Sequence, residues 1–179
     1  TTVVIRMTHH GPIISDIHPL LKGQETAVSI AWTGHWITSE IDGFFKLNLM
    51  KDWEDFTEAT SLFGVPGQNM IYADVHGNIG WRAAVYIPLR KKGESLIPRP
   101  GHDPTYDWFG KVPFVEMPYL LNPERGYIVT ANNKTIDNTF PYYISGLWAD
   151  PSRAQRILER VQSLDKATVK DMKSIQLYV

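Results

Sequence analysis

Seven prolines fall between positions 88 and 123: Pro88, Pro98, Pro100, Pro104, Pro113, Pro118 and Pro123. Proline fixes φ and lacks an N–H, so neither a long helix nor a central strand can run through that window. The stretch has no apolar periodicity either. Residues 87–125 therefore read as a long ordered excursion or several short loops. Tyr106, Trp108, Phe109 and Phe114 lie within it, and aromatics at that density argue that it packs on a surface and is not a free linker. Regular structure is expected on either side.

On the N-terminal side, residues 3–7 read as a strand, broken by His9-His10-Gly11-Pro12 and resumed at Ile13-Ile14. Residues 25–33 alternate in part, as a half-buried strand does. Ser39 and Glu40 open a helical stretch through Leu49. Asp52 is placed to cap a short helix with Trp53, Phe56, Ala59 and Leu62 on its apolar face, ended by Gly64-Val65-Pro66-Gly67. Residues 69–73 and 79–87 flank Asp74-Val75-His76-Gly77-Asn78, a hairpin signature in which Gly77 and Asn78 supply positive φ.

On the C-terminal side, residues 127–131 form a near-continuous apolar run, expected as a strand between other strands. It ends on two carboxamides, Asn132 and Asn133. A side-chain amide on a rigid strand end can aim a donor at a fixed point, as an oxyanion hole requires. The same pair can also simply open a turn. Asp150-Pro151-Ser152 marks a helix start, with Asp as cap and Pro at the first helical position. Ala154, Ile157, Leu158 and Val161 make its apolar face, and residues 167–177 a second helix, so that 150–179 is helical. No repeat or low-complexity tract is present.

The 179 residues suffice for one domain or two small ones. Eighteen basic residues against nineteen acidic ones leave a net charge of -1, which gives no footprint for nucleic acid. No stretch approaches the roughly 20 apolar residues that span a membrane, so no membrane partner is expected. The first eight residues lack the plan of a signal peptide. Without cysteine there is no disulfide, thiolate metal site or cysteine nucleophile. The chain opens on a strand-like run without Met and closes in an apolar segment, so it reads as a piece of a longer polypeptide.

Taken in order, the punctuating residues resemble the penicillin acylase family, amidohydrolases whose nucleophile is the first residue of a self-cleaved β subunit. The matching pieces begin with Thr8-His9-His10-Gly11-Pro12, Ala31-Trp32-Thr33, and Asp52-Trp53 with Phe56. They continue through Tyr72-Ala73-Asp74 with Gly77-Asn78-Ile79-Gly80, then Pro98, Pro100-Gly101, and Tyr106-Asp107-Trp108 with Gly110. Pro113-Phe114, Asn122-Pro123 with Gly126, Ala131-Asn132-Asn133, and Arg153 with Arg156-Ile157 complete the series. The resemblance implies an α+β fold, the central part of an αββα sandwich of N-terminal-nucleophile hydrolases. Residues 1–179 would be one fragment of the β-subunit domain.

The same resemblance implies two catalytic residues. Asn132 matches the side-chain oxyanion donor. Arg153 matches an arginine beside the catalytic centre that orients the asparagine and the surroundings of the nucleophilic amine. The nucleophilic serine and the second oxyanion donor would lie upstream, so the isolated chain is expected to be inactive. Thr1 matches an internal strand position and is not read as a nucleophile, although an N-terminal threonine can serve as one. The parent would hydrolyse an acyl amide, such as a β-lactam side chain or an acyl-homoserine lactone, without a cofactor. Its partners would be that small molecule and the remaining acylase segments, the α subunit and the start of the β subunit. Family likeness suggests a periplasmic or extracellular location, on which the residues are silent.

Some relatives hold a structural calcium with an aspartate after the asparagine pair. Tyr142-Tyr143-Ile144 supplies no acid there, so no calcium ligand is expected from this segment. His9 and His10 have no third group nearby in sequence to orient an imidazole, and the family uses that turn structurally. His35, His76 and His102 are too scattered for zinc spacing. Some of Trp32, Trp36, Phe44, Phe45, Tyr142, Tyr143 and Trp148 would line an acyl pocket and most would be core. The competing class is a non-catalytic, aromatic-rich module that stacks on sugars or peptides.

Overall fold

The computed structural model describes residues 2, 4–92 and 94–177. Its centre is a three-stranded antiparallel sheet. Strands β3 (Gln68–Ala73) and β4 (Ile79–Ala84) form the expected hairpin, with Gln68 opposite Ala84 and Ala73 opposite Ile79. Strand β7 (Tyr119–Leu121) adds to the free side of β4, with Arg82 opposite Tyr119 and Gly80 opposite Leu121. An earlier hairpin pairs β1 (Met7–Thr8) with β2 (Gly11–Pro12). A third small sheet pairs β5 (Pro88–Arg90) with β6 (Trp108–Lys111). Helices α1 (Glu40–Leu49) and α2 (Trp53–Thr60) precede the central sheet. Helices α3 (Ser152–Gln162) and α4 (Val169–Gln176) close the described chain. The α+β reading holds.

Helix α2 forms where the sequence places it. The Asp52 carboxylate accepts a hydrogen bond from the Asp55 amide at 2.9 Å, satisfying an amide that would otherwise lack an acceptor. Phe56 and Ala59 then turn inward and are buried. Trp53 lies on the sheet, 5.6 Å from the Tyr72 ring. A Cβ at Gly80 would come within 2.2 Å of the Trp53 indole, so the absence of a side chain there lets helix and strand meet. Phe63 fills the space between the helices, edge-on to Phe44 at 4.9 Å. Glu40, at the start of α1, accepts from the Gly64 and Val65 amides at 2.9 and 3.0 Å and so ties the end of the helical pair back to its beginning.

A second apolar cluster of Ile87, Val112 and Met117 lies under the excursion, joined by Phe114, Tyr142 and Ile144. Between the two clusters sits Arg82, only 6% exposed. Its guanidinium lies 4.5 Å from the Phe114 ring centre and 4.8 Å from that of Tyr119, a cation cradled by two π faces.

The proline window holds more regular structure than expected. It contains β5, β6 and β7 and short 3₁₀ turns at Pro104–Tyr106 and Phe114–Glu116. Three of the prolines stand beside strand ends, with Pro88 opening β5, Pro118 preceding β7 and Pro123 following it, where no ladder N–H is lost. Three expected strands shrink or vanish. Of residues 3–7 only Met7 joins a ladder, and Thr1 and Val3 lie outside the described residues. Residues 25–33 contribute one isolated bridge, Ser29 to Ile13. Residues 127–131 are not a strand: among the described residues no segment forms a ladder with them. An apolar run becomes a strand only where a neighbouring backbone accepts its hydrogen bonds. Helix α3 begins one residue later than expected: Pro151 and not Asp150 is its N-cap, without a side-chain cap, and Asp150 accepts from the Ser152 amide at 2.9 Å in the turn that leads into the helix. Helix α4 is stabilised by a capping box between Thr168 and Asp171. Among the described residues no helix is long and apolar enough to cross a membrane.

The β3–β4 turn is organised by one carboxylate. Asp74 accepts hydrogen bonds from the His76 and Asn78 amides, the Asn78 side-chain amide and the Tyr72 hydroxyl, at 2.7 to 2.9 Å. Gly77 takes φ +91°, and Asn78, expected to share the positive φ, does not. The Asn78 side chain instead accepts from Asn122, which in turn accepts from the Ile79 amide and so binds the turn to the end of β7. The Asn78 hydrogen bond, ahead of the other donors, holds the Asp74 carboxyl at about 2, against an ordinary value of 3.8. Burial, and then the Asp74 contact, pushes the Tyr72 hydroxyl up to about 12.

Because the folded value is depressed, ionised Asp74 contributes its full stability above pH 3.8 and loses it as pH falls through about 2. Asp74→Asn is expected to lower the urea midpoint at pH 7, and the gap from the parent should close as both are titrated toward pH 2. Parallel urea melts at several pH values measure this; a gap independent of pH would show that charge has no part in the turn. Gly80→Val is expected to cost more than a typical core substitution, on the order of 3 kcal/mol or more, by driving Trp53 off the sheet. Loss of the Trp53 fluorescence environment should accompany it.

Candidate active site

The residues following 127–131 are held by helix α3 and not by a sheet. Ala154, Ile157, Leu158 and Val161 are half-buried along one side of the helix. Gln162 in its last turn donates to the Tyr127 hydroxyl at 2.7 Å. This anchors the segment's start. Its end is held from the first turn of the helix, where Arg153 Nη2 donates to the Ala131 carbonyl at 2.7 Å and to the Asn132 side-chain oxygen. A cation at a helix N-terminus is disfavoured by the helix dipole. The two oxygen acceptors offset that cost.

Asn132 is in the left-handed region, φ +62°, a conformation asparagine tolerates better than most residues. Three further constraints hold it there. The Ala131 amide donates to Asn133 Oδ1 at 2.9 Å. The Ala149 amide donates to the Asn132 carbonyl at 2.9 Å, which folds loop 134–149 back against the pair. Ala131 is buried. The Asn132 side chain itself is exposed.

This geometry decides how the carboxamide faces. Guanidinium has donors and no acceptor, so the atom turned toward Arg153 is Oδ1. The amide nitrogen, with its two N–H groups, is thereby directed away from the arginine. A donor fixed in direction by a charged neighbour, on backbone clamped at four points, is the arrangement a developing negative charge requires. Asn133 does something different: it spends its oxygen on Ala131 and its amide on the Lys134 carbonyl at 3.1 Å, and serves as the turn residue. Asn133 thus takes the turn role, while Asn132 is held with its carboxamide oxygen toward Arg153.

The other sequence candidates separate clearly. Both oxygens of the Asp74 carboxylate accept hydrogen bonds within the hairpin turn. Trp32 and Trp36 line a cavity of about 420 Å³ with Trp108, next to His9 and His10. Phe44 packs on Phe63. Tyr142 donates to Glu116, and Trp148 to the Ser145 carbonyl at 2.9 Å. The third group that the local sequence lacks for the two histidines is supplied from afar by Asp107.

The sequence profile of the penicillin amidase family matches residues 1–179, the whole chain. An acyl-homoserine lactone acylase QuiP of Pseudomonas fluorescens (strain Pf0-1) is 30% identical over 152 residues, covering 85% of this chain and 18% of the relative. Penicillin acylase 2 proenzyme of Pseudomonas sp. (strain SE83) is 29% identical over 168 residues, 94% of this chain and 21% of the relative. Among solved structures, a thermostable penicillin G acylase from Alcaligenes faecalis superposes with a TM-score of 0.68 at 26% identity, over 96% of this chain and 30% of that one. The chain thus spans about a fifth of the length of the curated relatives it matches. A profile match from end to end and a shared backbone over nearly every residue agree with the ordered motifs read from the sequence: the chain belongs to the penicillin amidase family.

Proposed function

We propose that the protein carrying this chain hydrolyses a linear amide between an acyl group and an amine, and that Asn132 donates to the oxyanion of its transition state. The observation that carries the reading is the hydrogen bond from Arg153 to Asn132 Oδ1, which leaves the amide N–H groups as the available donors. Attack by a nucleophile on the acyl carbon moves negative charge onto the carbonyl oxygen. A preorganised N–H at that point lowers the barrier without reorganisation at the moment of reaction. Arg153 acts through Asn132: it orients the carboxamide, and its positive charge polarises the N–H groups. Collapse of the tetrahedral species would give an acyl-enzyme, which water then cleaves. The nucleophile and a second donor come from segments outside this chain, and no cofactor takes part. The substrates named for the relatives, penicillins and acyl-homoserine lactones, share that acyl amide.

The outer side of α1 supports completion by other segments of the same polypeptide. Ile37 before the helix and Ile41, Phe45 and Leu49 on it are largely exposed, an apolar surface of a kind proteins normally cover. On this reading residues 1–179 are part of one larger domain, and the isolated chain turns over no amide.

In the full-length protein, Asn132→Ala is expected to lower kcat by about 10²–10³ with little change in KM, as loss of one oxyanion donor does. Arg153→Ala should also lower kcat. The double variant should lose less than the product of the two single losses, because both changes remove the same aligned donor. Hydrolysis of a chromogenic acyl-anilide, with thermal melts as a folding control, measures all three. A fully active, normally stable Asn132→Ala would reduce this asparagine to a turn residue. The isolated chain should show no hydrolysis in the same assay; turnover abolished by replacing Thr1 would make that residue the nucleophile instead.

A further inference from the structure

The hairpin β1–β2 brings two imidazoles to one carboxylate. His9 Nε2 lies 3.6 Å from Asp107 Oδ1 and His10 Nε2 lies 3.7 Å from the same oxygen. Each of the three residues offers a ligand atom within 4.8 Å of the others. These separations are too long for hydrogen bonds. They are close to the edge of a tetrahedron around a metal, about 3.4 Å for metal–ligand bonds of about 2.1 Å. We propose that His9, His10 and Asp107 bind one divalent ion of the zinc class, a site distinct from the Asn132–Arg153 pair.

Three observations carry this. First, Asp107 Oδ1 is buried and has no hydrogen-bond partner. A buried carboxylate oxygen left in that state is costly, and a cation between it and the imidazoles would satisfy it. Second, the ligands are held by backbone. Thr8 Oγ1 accepts from the His10 amide at 3.2 Å and donates to the Gly11 carbonyl at 3.1 Å. Gly11 has φ +142°, and a Cβ there would come within 2.2 Å of the Ile30 carbonyl, so only glycine lets the two histidines turn together. Asp107 stands between a 3₁₀ turn and β6, its amide bonded to the Pro104 carbonyl at 3.3 Å. Third, the cluster opens on the tryptophan-lined cavity of about 420 Å³. Three protein ligands therefore leave a fourth position facing space.

The donor set suits the ion: two imidazoles and one carboxylate are zinc-class ligands, whereas calcium and magnesium prefer oxygen alone. Two adjustments are needed. His10 Nε2 also lies 3.1 Å from the Gly101 carbonyl. A proton there would be donated to that oxygen, and ligation moves it to Nδ1 or to solvent. The third edge, between the imidazole nitrogens, closes by rotation of His9, whose side chain is 66% exposed. The bound ion would join the N-terminal hairpin to the middle of the proline window.

The test uses the full-length protein and its His9→Gln, Asp107→Asn and His76→Gln variants. Zn²⁺ is titrated by calorimetry and Co²⁺ by visible absorption, since tetrahedral Co²⁺ absorbs far more strongly than octahedral. The parent and His76→Gln should bind one more ion per chain than the other two variants, with tetrahedral Co²⁺ bands. Zn²⁺ should also raise the melting temperature of the parent and not that of His9→Gln. Removing His9 should weaken binding by more than about tenfold, the lower end of what loss of a mere supporting group costs. His9 is exposed, so its variant should fold even if Asp107→Asn does not. Equal stoichiometry and affinity in the parent and His9→Gln, displacement of the ion by excess Ca²⁺, or absence of tetrahedral bands would each overturn the proposal. Loss of amide hydrolysis in Asn132→Ala leaves this result untouched, so the two readings fail independently.

Discussion

The indole of Trp53 rests on the bare backbone of Gly80, and the helical layer reaches the sheet only because that position has no side chain. From this contact the order of the molecule follows. Trp53 meets Phe56, Tyr72 and Tyr119, so one ring touches the helix and both outer strands. The central strand β4 is paired on both edges and is the strand that passes beneath that ring. Burial of such large aromatic surfaces, about 1.5–3 kcal/mol for a side chain of this class, gives the sheet a covered face that three short strands alone would lack.

The candidate active site depends on a different kind of order. Asn132 is fixed by hydrogen bonds and a helix start, not by a ladder. Its surroundings are local in space but not in sequence: Arg153 and Ala149 fold back from 21 and 17 residues on. Charge assistance matters here because the site is exposed, where a neutral amide pair would compete poorly with water. The guanidinium fixes the amide's direction, and the left-handed backbone at Asn132 fixes its origin.

Signals that act within a few residues were legible in the sequence. Asp52 caps α2 and Asp74 gathers the hairpin turn, because each satisfies amides within four positions of itself. The motifs around Asn132 and Arg153 were legible as a family pattern, and the contact between them matches the expected pairing. What could not be read was anything set by a distant partner. Tyr119–Leu121 is too short and too proline-flanked to announce a strand, and becomes one because β4 offers a free edge. Residues 127–131 announce a strand strongly and find no ladder among the described residues. Asp107 lies 97 residues from His10, and no local pattern could place it there.

Arg82 ties the register of the sheet to its surroundings. The guanidinium lies between Phe114 and Tyr119, on the face of β4 that Gly80 shares. Side chains alternate along a strand, so a slip of one residue carries Arg82 to the opposite face, where Trp81 now sits buried. A cation there would lose its rings while still shedding its water. The setting of Arg82 thus ties the register of β4 to the rings of Phe114 and Tyr119.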